Sequence, residues 1–333
     1  MKKIMNAPER FVAESLEGLV LAHEGLLAFG GGRKFVRRRV LAPGKVAVIS
    51  GGGAGHEPLH SGFVGRGMLD AACTGHVFTS PTPDQIVAAM DEVDTGAGCL
   101  LIVKNYDGDV MNFEMAAEMA APRHAVETVI VEDDAATGPA VRSRGRRGVA
   151  GTVVVEKLIG AAAEQGADLA ALKALGEDLN GRIRSMGVAL RGVAVPDNAR
   201  ETFVLGPEEM EFGVGIHGEP GLARTRFADA DAIIRQLGEA ILAEFPPGLL
   251  AAEGLRPLLV VNGFGGTPPI ELYLAHGLAR RFFEARAIMP ARALTGTFVT
   301  SLDMAGLSLT LALLTPDQFA LWNAPVATPA LGW

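Results

Sequence analysis

Short apolar runs, glycine-rich turns and amphipathic stretches follow one another in the first part of the sequence. KVAVIS (45–50) runs into GGGAGHEP, CLLIVK (99–104) into NYDGD and then NFEMAAEMAA (112–121), and AVETVIVE (125–132) follows. Apolar runs of this length, bounded by turn residues, predict strands, and the stretch at 112–121 has helical spacing. Strands that alternate with helices indicate an α/β fold with a largely parallel sheet.

The spacing of apolar residues becomes helical over 151–187, where GADL separates two predicted helices. A strand-like run returns at 211–216 (EFGVGI), and PLLVVNGFGGTPPIELYLAHGLARRFF (257–283) predicts a strand, a glycine turn and a helix. We therefore predict two α/β domains with mixed or parallel sheets, at residues 1–185 and 186–333.

Composition and charge fit a globular protein that handles small metabolites. Hydrophobic residues make up 49% and charged residues 20% of the 333 positions, which is ordinary for a globular protein. The net charge of −8 argues against non-specific nucleic-acid binding, which requires a basic surface. We interpret the basic cluster RSRGRR (142–147) as a solvated loop.

Cysteine use and hydropathy predict a cytoplasmic protein. Cys73 and Cys99 lie in apolar surroundings without C-x-x-C spacing, so we expect two buried reduced thiols and no metal site. The N-terminal stretch carries Glu9, Arg10 and Glu14 where a signal peptide requires an apolar core. No uncharged stretch approaches the roughly 18 residues of a membrane span.

The run GGGAGHEP differs from the common phosphate-binding loops. A dinucleotide fingerprint, G-x-G-x-x-G, requires a glycine where this sequence has His56 or Pro58, and the Gly-Lys-Ser/Thr of a Walker A loop does not occur. Glycines allow the backbone to approach a ligand closely. The run therefore either seats a small ligand beside His56 or forms a tight strand-to-helix turn with an exposed histidine.

Two further turns carry titratable residues. In KNYDGDVMNFE, Lys104 ends a predicted strand, and Asp107 and Asp109 follow it. Ligands of α/β proteins usually bind at the carboxyl ends of strands, although aspartates that cap helices are also common there. In GIHGEPG, His217 follows another strand-like run, and the segment is similar to the GHEP of the first turn.

Seven motifs together resemble the dihydroxyacetone kinase family, and within it the substrate-binding subunit. The motifs are GGGAGHEP, FTSPTPDQI, KNYDGDVMNFE, GIHGEPG, NGFGGTPPIELY, TSLDMAG and LWNAPVATPALGW. They occur in the family's order and extend from about residue 5 to Trp333.

The resemblance implies that a short ketose binds between the two α/β domains. Gly52, Gly53, Gly55 and His56 match the family's substrate loop. In that loop Gly53 offers its backbone, and His56 binds a substrate hydroxyl and assists proton transfer. Ala54 stands where family members commonly have serine.

The remaining site residues are also implied by the resemblance. Lys104 and Asp109 match substrate-contacting positions, with Asp109 as the base for the hydroxyl that is phosphorylated. His217 matches the histidine that adds to the ketone and forms a hemiaminal, so the implied catalytic set is His56, Asp109 and His217. His76 stands where the family often has an acid, and Thr74 and Phe63 also differ from the commonest family pattern. Because of these departures and of Ala54, dihydroxyacetone, a tetrulose and a branched pentulose all remain open as substrates.

The resemblance places the phosphoryl donor on another protein. Since the chain ends at Trp333, directly after the family's terminal motif, we expect no cofactor bound by this chain. We expect a nucleotide-binding L-type subunit that carries ATP or ADP with Mg²⁺. The donor is either ATP or a phosphotransferase-system phosphocarrier that recharges the nucleotide. A homodimer is also implied, without nucleic-acid or membrane partners.

Two functions of other classes remain open. Some relatives retain the ketose-binding histidine but act as co-regulators of a transcription factor without kinase activity. The joint presence of His56, Lys104 and Asp109 favours catalysis over that alternative. A lipid-binding protein of similar fold would require an apolar tunnel and would lack the GHEP and HGEP segments.

Overall fold

A computed structural model of the chain describes residues 2–138, 145–196 and 201–333, so residues 142–144 of the predicted basic loop lie outside the described residues. The helices are α1 Pro8–Ala22, α2 Pro83–Val93, α3 Asp107–Ala120, α4 Gly151–Glu164, α5 Leu169–Arg182, α6 Ala230–Ala243, α7 Pro269–Glu284 and α8 Pro316–Asn323. The strands are β1 Leu27–Gly30, β2 Phe35–Arg38, β3 Ala47–Ala54, β4 Ala71–Val77, β5 Cys99–Lys104, β6 Val126–Val131, β7 Ile183–Arg191, β8 Glu209–Phe212, β9 Ala223–Arg226, β10 Arg256–Gly263, β11 Arg292–Gly296 and β12 Ala305–Leu314.

The chain forms two compact α/β units that are discontinuous in sequence. The first unit contains Lys2–Val131, Val154–Asp178 and Leu321–Trp333, and the second contains Glu132–Val153 and Leu179–Ala320. The predicted boundary at residue 185 is not a point at which the chain passes from one unit to the other. Most of α4 and all but the end of α5 belong to the first unit because they pack against other residues of that unit. Lys173 Nζ lies 2.6 Å from Glu127 Oε2, and Gly160 packs against Met68.

The sheet of the first unit is largely parallel, as the sequence predicted. Its strand order is β1-β2-β4-β3-β5-β6. The strands β4, β3, β5 and β6 pair in parallel, whereas β2 pairs antiparallel with both β1 and β4. Every residue of β3 and β5 is buried. Parallel strands covered on both faces are apolar throughout, which explains why CLLIVK shows no alternation.

The sheet of the second unit is mainly antiparallel. Its order is β11-β10-β12-β7-β8-β9, and the β10–β11 pair is parallel. The helical prediction over 151–187 is wrong for its last five residues, which belong to β7. Pairing with β12 and a parallel bridge between Ser185 and Asp134 outweigh the local helical spacing there. The strand predicted at 211–216 is displaced toward the N-terminus, to Glu209–Phe212.

The first three glycines of GGGAGHEP are strand residues of β3 and not part of a loop. A Cβ on Gly51 would lie 2.4 Å from the carbonyl oxygen of Cys73, and a Cβ on Gly53 would lie 2.5 Å from the backbone nitrogen of Thr79. Neighbouring backbone therefore approaches too closely for a side chain at either position. The prediction of a loop or turn is wrong for these glycines, which lie at the carboxyl half of a buried parallel strand.

Each unit has its own hydrophobic core. Cys73 and Cys99 lie in the core of the first unit as free thiols, as predicted. The core of the second unit lies between its sheet and the helices α6 and α7, with Leu237 and Phe283 fully buried. Among the residues that the structure describes, no helix combines the length and hydropathy that crossing a membrane requires.

Candidate active site

Lys104 and Asp109 form a buried ion pair at the carboxyl end of β5. Lys104 is the last residue of the strand and Asp109 lies in the first turn of α3, five residues later. The Lys104 Nζ atom is 3.2 Å from Asp109 Oδ2, and the exposed fractions of the two residues are 0% and 3%. The strand-to-helix turn therefore brings together two residues that the sequence predicted for the site.

Two further acceptors surround the Lys104 ammonium group. Its Nζ atom lies 3.1 Å from His60 Nε2 and 3.5 Å from the carbonyl oxygen of Gly51. A Cβ on Gly52 would lie 2.3 Å from the same Nζ atom. The absence of a side chain at Gly52 thus makes room for the lysine, a reason that the sequence did not suggest.

His60 and Glu156 are polar residues of this region that the sequence analysis missed. His60 Nδ1 lies 2.5 Å from Glu156 Oε1 and 3.0 Å from Ser50 Oγ, and the Ser50 hydroxyl donates to the carbonyl oxygen of Ile102 at 2.7 Å. Glu156 is fully buried on α4. One signal was available, because Glu156 interrupts the apolar run VVVEKLIGAAA of a buried helix.

Burial shifts the pKa values of Glu156 and His60 in the directions that favour the neutral forms of both side chains. Burial raises the pKa of Glu156 to about 8, although Ser50 and Lys104 act in the opposite direction. Burial, together with the positive charge of Lys104 and a contribution from His56, lowers the pKa of His60 well below 6.5. At neutral pH the region therefore contains a neutral imidazole and a protonated Glu156 carboxyl.

His56 follows the buried strand β3 and is itself fully buried, not exposed as a simple turn would have it. Its ring stacks on Phe78, with the ring centroids 5.3 Å apart and the planes inclined by 26°. Gly55 has a φ of 101°, a conformation that favours glycine. The backbone N–H of Gly55 donates to the carboxylate of Glu57 at 3.0 Å, which fixes the turn that carries His56.

His217 lies in the second unit, in a turn held by an ion-pair network. The backbone N–H of His217 donates to Glu219 Oε2 at 2.8 Å, and Glu219 Oε1 lies 2.9 Å from Arg147 Nη1. Arg147 Nε in turn donates to Asp134 Oδ2 at 2.6 Å. Arg147 is 7% exposed, so the interpretation of the basic run as a solvated loop is wrong for this residue.

The similarity of GHEP and HGEP corresponds to one local hydrogen bond. In each segment a glutamate carboxylate accepts the backbone N–H of the residue two positions before it, Gly55 for Glu57 and His217 for Glu219. The histidine lies between donor and acceptor in the first segment and supplies the donor in the second. The two turns therefore share this hydrogen bond, but the histidine occupies a different position in each.

The positions where the sequence departs from the family pattern differ in burial. Ala54 is buried as the last residue of β3, so the methyl group replaces a serine hydroxyl at the end of that strand. His76 is exposed near the end of β4. Thr74 is half-buried, and its hydroxyl lies 2.9 Å from the hydroxyl of Ser61.

Asp94, Cys99 and His124 bring potential metal-ligand atoms within 4.8 Å of one another. Their hydrogen bonds explain the cluster without an ion. The two ring nitrogens of His124 lie 2.8 Å from carboxylate oxygens of Asp94 and Asp91. Burial acts to lower the pKa of His124, but the hydrogen bonds that its ring donates to these two carboxylates raise it above the usual value. They thus favour the imidazolium, which has no lone pair for a metal.

Ligands of α/β proteins usually bind at the carboxyl ends of parallel strands, so a carboxylate–ammonium pair beside glycines there indicates an α/β protein that handles a small polar ligand. Comparison with known sequences identifies the family within this class. The Dak1 domain model matches residues 17–330, and the chain belongs to the Dak1 family.

Individual relatives resemble the chain over nearly its whole length. It is 46% identical to the PTS-dependent dihydroxyacetone kinase 1, dihydroxyacetone-binding subunit DhaK, of Listeria innocua, over 99% of this chain and 100% of that protein. The dihydroxyacetone kinase of C. freundii in complex with AMP-PNP and Mg²⁺ superposes with a TM-score of 0.90 at 34% identity, over 98% of this chain and 60% of the longer one. The dihydroxyacetone kinase operon co-activator Dha-DhaQ also gives a TM-score of 0.90, at 33% identity over 95% of this chain and 97% of that one.

Proposed function

We propose that the chain is the dihydroxyacetone-binding subunit of a dihydroxyacetone kinase and presents the ketose for phosphorylation. The observation that carries the proposal is the buried Lys104–Asp109 pair, in a chain that matches a dihydroxyacetone-binding subunit from end to end. A protein that bound the ketose without reacting it would not require a buried carboxylate held by an ammonium group.

In this proposal His217 anchors the substrate through its ketone. A neutral ring nitrogen adds to the carbonyl carbon, the π electrons move to the oxygen, and the proton lost from the ring neutralises that oxygen. Imidazole is available in its neutral form at neutral pH. The bond selects carbonyl compounds, because glycerol has no carbon that can form the hemiaminal.

Asp109 then serves as the general base for the free hydroxyl. The attacking oxygen loses its proton as the bond to phosphorus forms, and a carboxylate within hydrogen-bond reach accepts it. His56 hydrogen-bonds the substrate, and the backbone of Gly53 and Gly55 lines the same strand end. The rest of the catalytic effect comes from positioning and charge stabilisation, as in other phosphoryl transfers.

The phosphoryl group comes, in this proposal, from a nucleotide on a separate cytoplasmic subunit. ATP or ADP with Mg²⁺ bound there would supply the phosphoryl donor and neutralise its charge. The relative named as PTS-dependent favours recharging of that nucleotide by a phosphocarrier. A homodimer of this chain is part of the same proposal.

A reconstitution with the cognate nucleotide-binding subunit tests the proposal. Dihydroxyacetone, erythrulose and glycerol are offered with ATP or with phosphoenolpyruvate and the phosphotransferase components, and phosphorylated product is measured. We expect ketose phosphate and no glycerol phosphate. His217→Gln should abolish ketose binding by calorimetry, whereas His276→Gln, at a half-buried histidine of the same unit, should not. Absence of ketose phosphate with both donors would contradict the kinase assignment.

The similarity to the operon co-activator favours one second candidate, a ketose-sensing co-regulator. That function requires ketose binding but no base. Ketose-dependent association with a transcription factor, without turnover in the reconstituted system, would establish it in place of the kinase function.

A further inference from the structure

The Lys104 ammonium group has three N–H bonds, and three acceptors surround it. These are Asp109 Oδ2 at 3.2 Å, His60 Nε2 at 3.1 Å and the Gly51 carbonyl oxygen at 3.5 Å. The side chain has no exposed surface. These acceptors therefore hold the ammonium group in place against the Asp109 carboxylate.

The contact between Lys104 and His60 shows which nitrogen of the His60 ring carries the proton. An ammonium group donates and has no lone pair, so His60 Nε2 must accept. In the neutral ring the proton then lies on Nδ1, which donates to Glu156 Oε1 at 2.5 Å. Glu156 thus selects the tautomer of His60 that can receive Lys104.

We propose that His60 and Glu156 are positioning residues that hold Lys104 Nζ against Asp109 and thereby fix the carboxylate that takes the proton during phosphoryl transfer. The proposal rests on the proposed function for its kinetic consequence, but the arrangement of protons is a property of the chain alone. Nothing in the sequence motifs assigns a role to either residue.

Glu156 acts in this arrangement as a hydrogen-bond acceptor and not as a charge. It is fully buried, and its Oε2 atom has no hydrogen-bond partner among the described residues. Burial of an ionised carboxylate with one oxygen unpaired is costly, which agrees with the raised pKa. A glutamine amide oxygen accepts the same hydrogen bond, so glutamine should preserve the function of Glu156. Methionine has a similar length but no such acceptor, so it should not.

Two substitutions of His60 distinguish the roles of its two ring nitrogens. His60→Gln places a side-chain oxygen near the position of Nε2 and retains an acceptor for Lys104. His60→Asn reaches only toward the position of Nδ1 and leaves Lys104 without that acceptor. If holding Lys104 is the function of His60, glutamine should retain more activity than asparagine.

The first experiment reads the tautomer by ¹⁵N NMR of histidine-labelled chain without partner or substrate. His60 is assigned from the signal that disappears in His60→Gln. We expect a neutral ring with the proton on Nδ1 at pH 7, and loss of that single form in Glu156→Met but not in Glu156→Gln. A proton on Nε2 in the wild-type chain would overturn the proposal.

The second experiment measures kcat and KM for dihydroxyacetone in the reconstituted kinase. Glu156→Met and His60→Asn should lower kcat about 10- to 100-fold, the scale of a displaced catalytic group, with KM within about threefold of wild type. Glu156→Gln and His60→Gln should each recover at least about tenfold of that loss. Thr152→Val, a near-isosteric change on the same helix, is the control and should match wild type.

Two results would overturn the positioning role, even with the predicted tautomer. One is an equal loss of kcat in Glu156→Gln and Glu156→Met, and the other is wild-type kcat in Glu156→Met and His60→Asn. A wild-type chain that binds ketose but turns over none would contradict the proposed function instead. In that case the NMR measurement still decides whether Glu156 sets the His60 tautomer that receives Lys104.

Discussion

Glu156→Gln should make the stability of the chain less dependent on pH. Burial raises the pKa of Glu156 from 4.5 to about 8 in the folded chain, so the folded state retains a proton that the unfolded chain releases. The resulting stability is fully present below pH 4.5 and is lost as the pH rises through about 8. Glutamine cannot titrate, so the stability of the variant does not fall with pH for this reason.

The size of the effect follows from the two pKa values. Linkage gives about 1.4 kcal/mol per pH unit in the interval between them, or roughly 3 to 4 kcal/mol between pH 5 and pH 8. For a folding unit of this size, about 1 kcal/mol shifts the melting temperature by roughly 2–4 °C. The variant should therefore gain about 10 °C in melting temperature over wild type between pH 5 and pH 8.

Thermal unfolding followed by circular dichroism at several pH values measures this difference. Glu177→Gln removes an exposed carboxylate of the first unit and controls for the change in net charge. A difference between wild type and Glu156→Gln that stays constant with pH, or that shrinks as the pH rises, would refute the assignment of Glu156 as a protonated buried carboxyl.

Three further substitutions test the site itself. Gly52→Ala places a Cβ 2.3 Å from the present position of Lys104 Nζ and should lower kcat by about 100-fold because the lysine must move. Arg147→Met removes the ion pairs behind the turn of His217 and should weaken dihydroxyacetone binding by about tenfold in calorimetry, since a lost charged hydrogen bond costs about 1.5–3 kcal/mol. Asp109→Asn should lower kcat by about 10²- to 10⁴-fold while calorimetry shows retained ketose binding.

Each of these substitutions has a matched control in the chain. Gly18→Ala adds a Cβ in open space, Arg146→Met removes the neighbouring arginine, and Asp107→Asn changes an exposed carboxylate in the same helical turn as Asp109. Wild-type kinetics in Gly52→Ala would contradict the packing argument. Equal losses in Arg147→Met and Arg146→Met, or in Asp109→Asn and Asp107→Asn, would remove the specific roles given to Arg147 and Asp109.

Local patterns predicted the features of the site that depend on neighbouring residues in the sequence. The apolar run of β5 identified a buried strand, and the carboxylate that follows it was predicted from the strand-to-helix turn. The helices α4 and α5 were predicted from their spacing and from the break between them. These elements are specified by local hydrophobic periodicity and turn chemistry.

Features that depend on distant contacts were not predicted. The spacing of residues 183–187 is helical, but pairing with β12 and a bridge from Ser185 to Asp134 place them in β7. A run of glycines by itself predicts a loop. The backbone that packs against the glycines of β3 is known only from the structure. His60 and Glu156 are 96 residues apart, so their contact follows from the packing of α4 and not from any motif.

Addition of the ketone to His217 is the central claim, and NMR of a doubly labelled complex tests it most directly. The chain carries ¹⁵N in its histidine rings, and dihydroxyacetone carries ¹³C at the carbonyl carbon. We predict a bound ¹³C signal in the tetrahedral region with one-bond coupling to a histidine ¹⁵N, which distinguishes it from the hydrate, and its loss in His217→Gln. A bound ketose that retains its carbonyl signal, or a tetrahedral signal without coupling to nitrogen, would contradict the account.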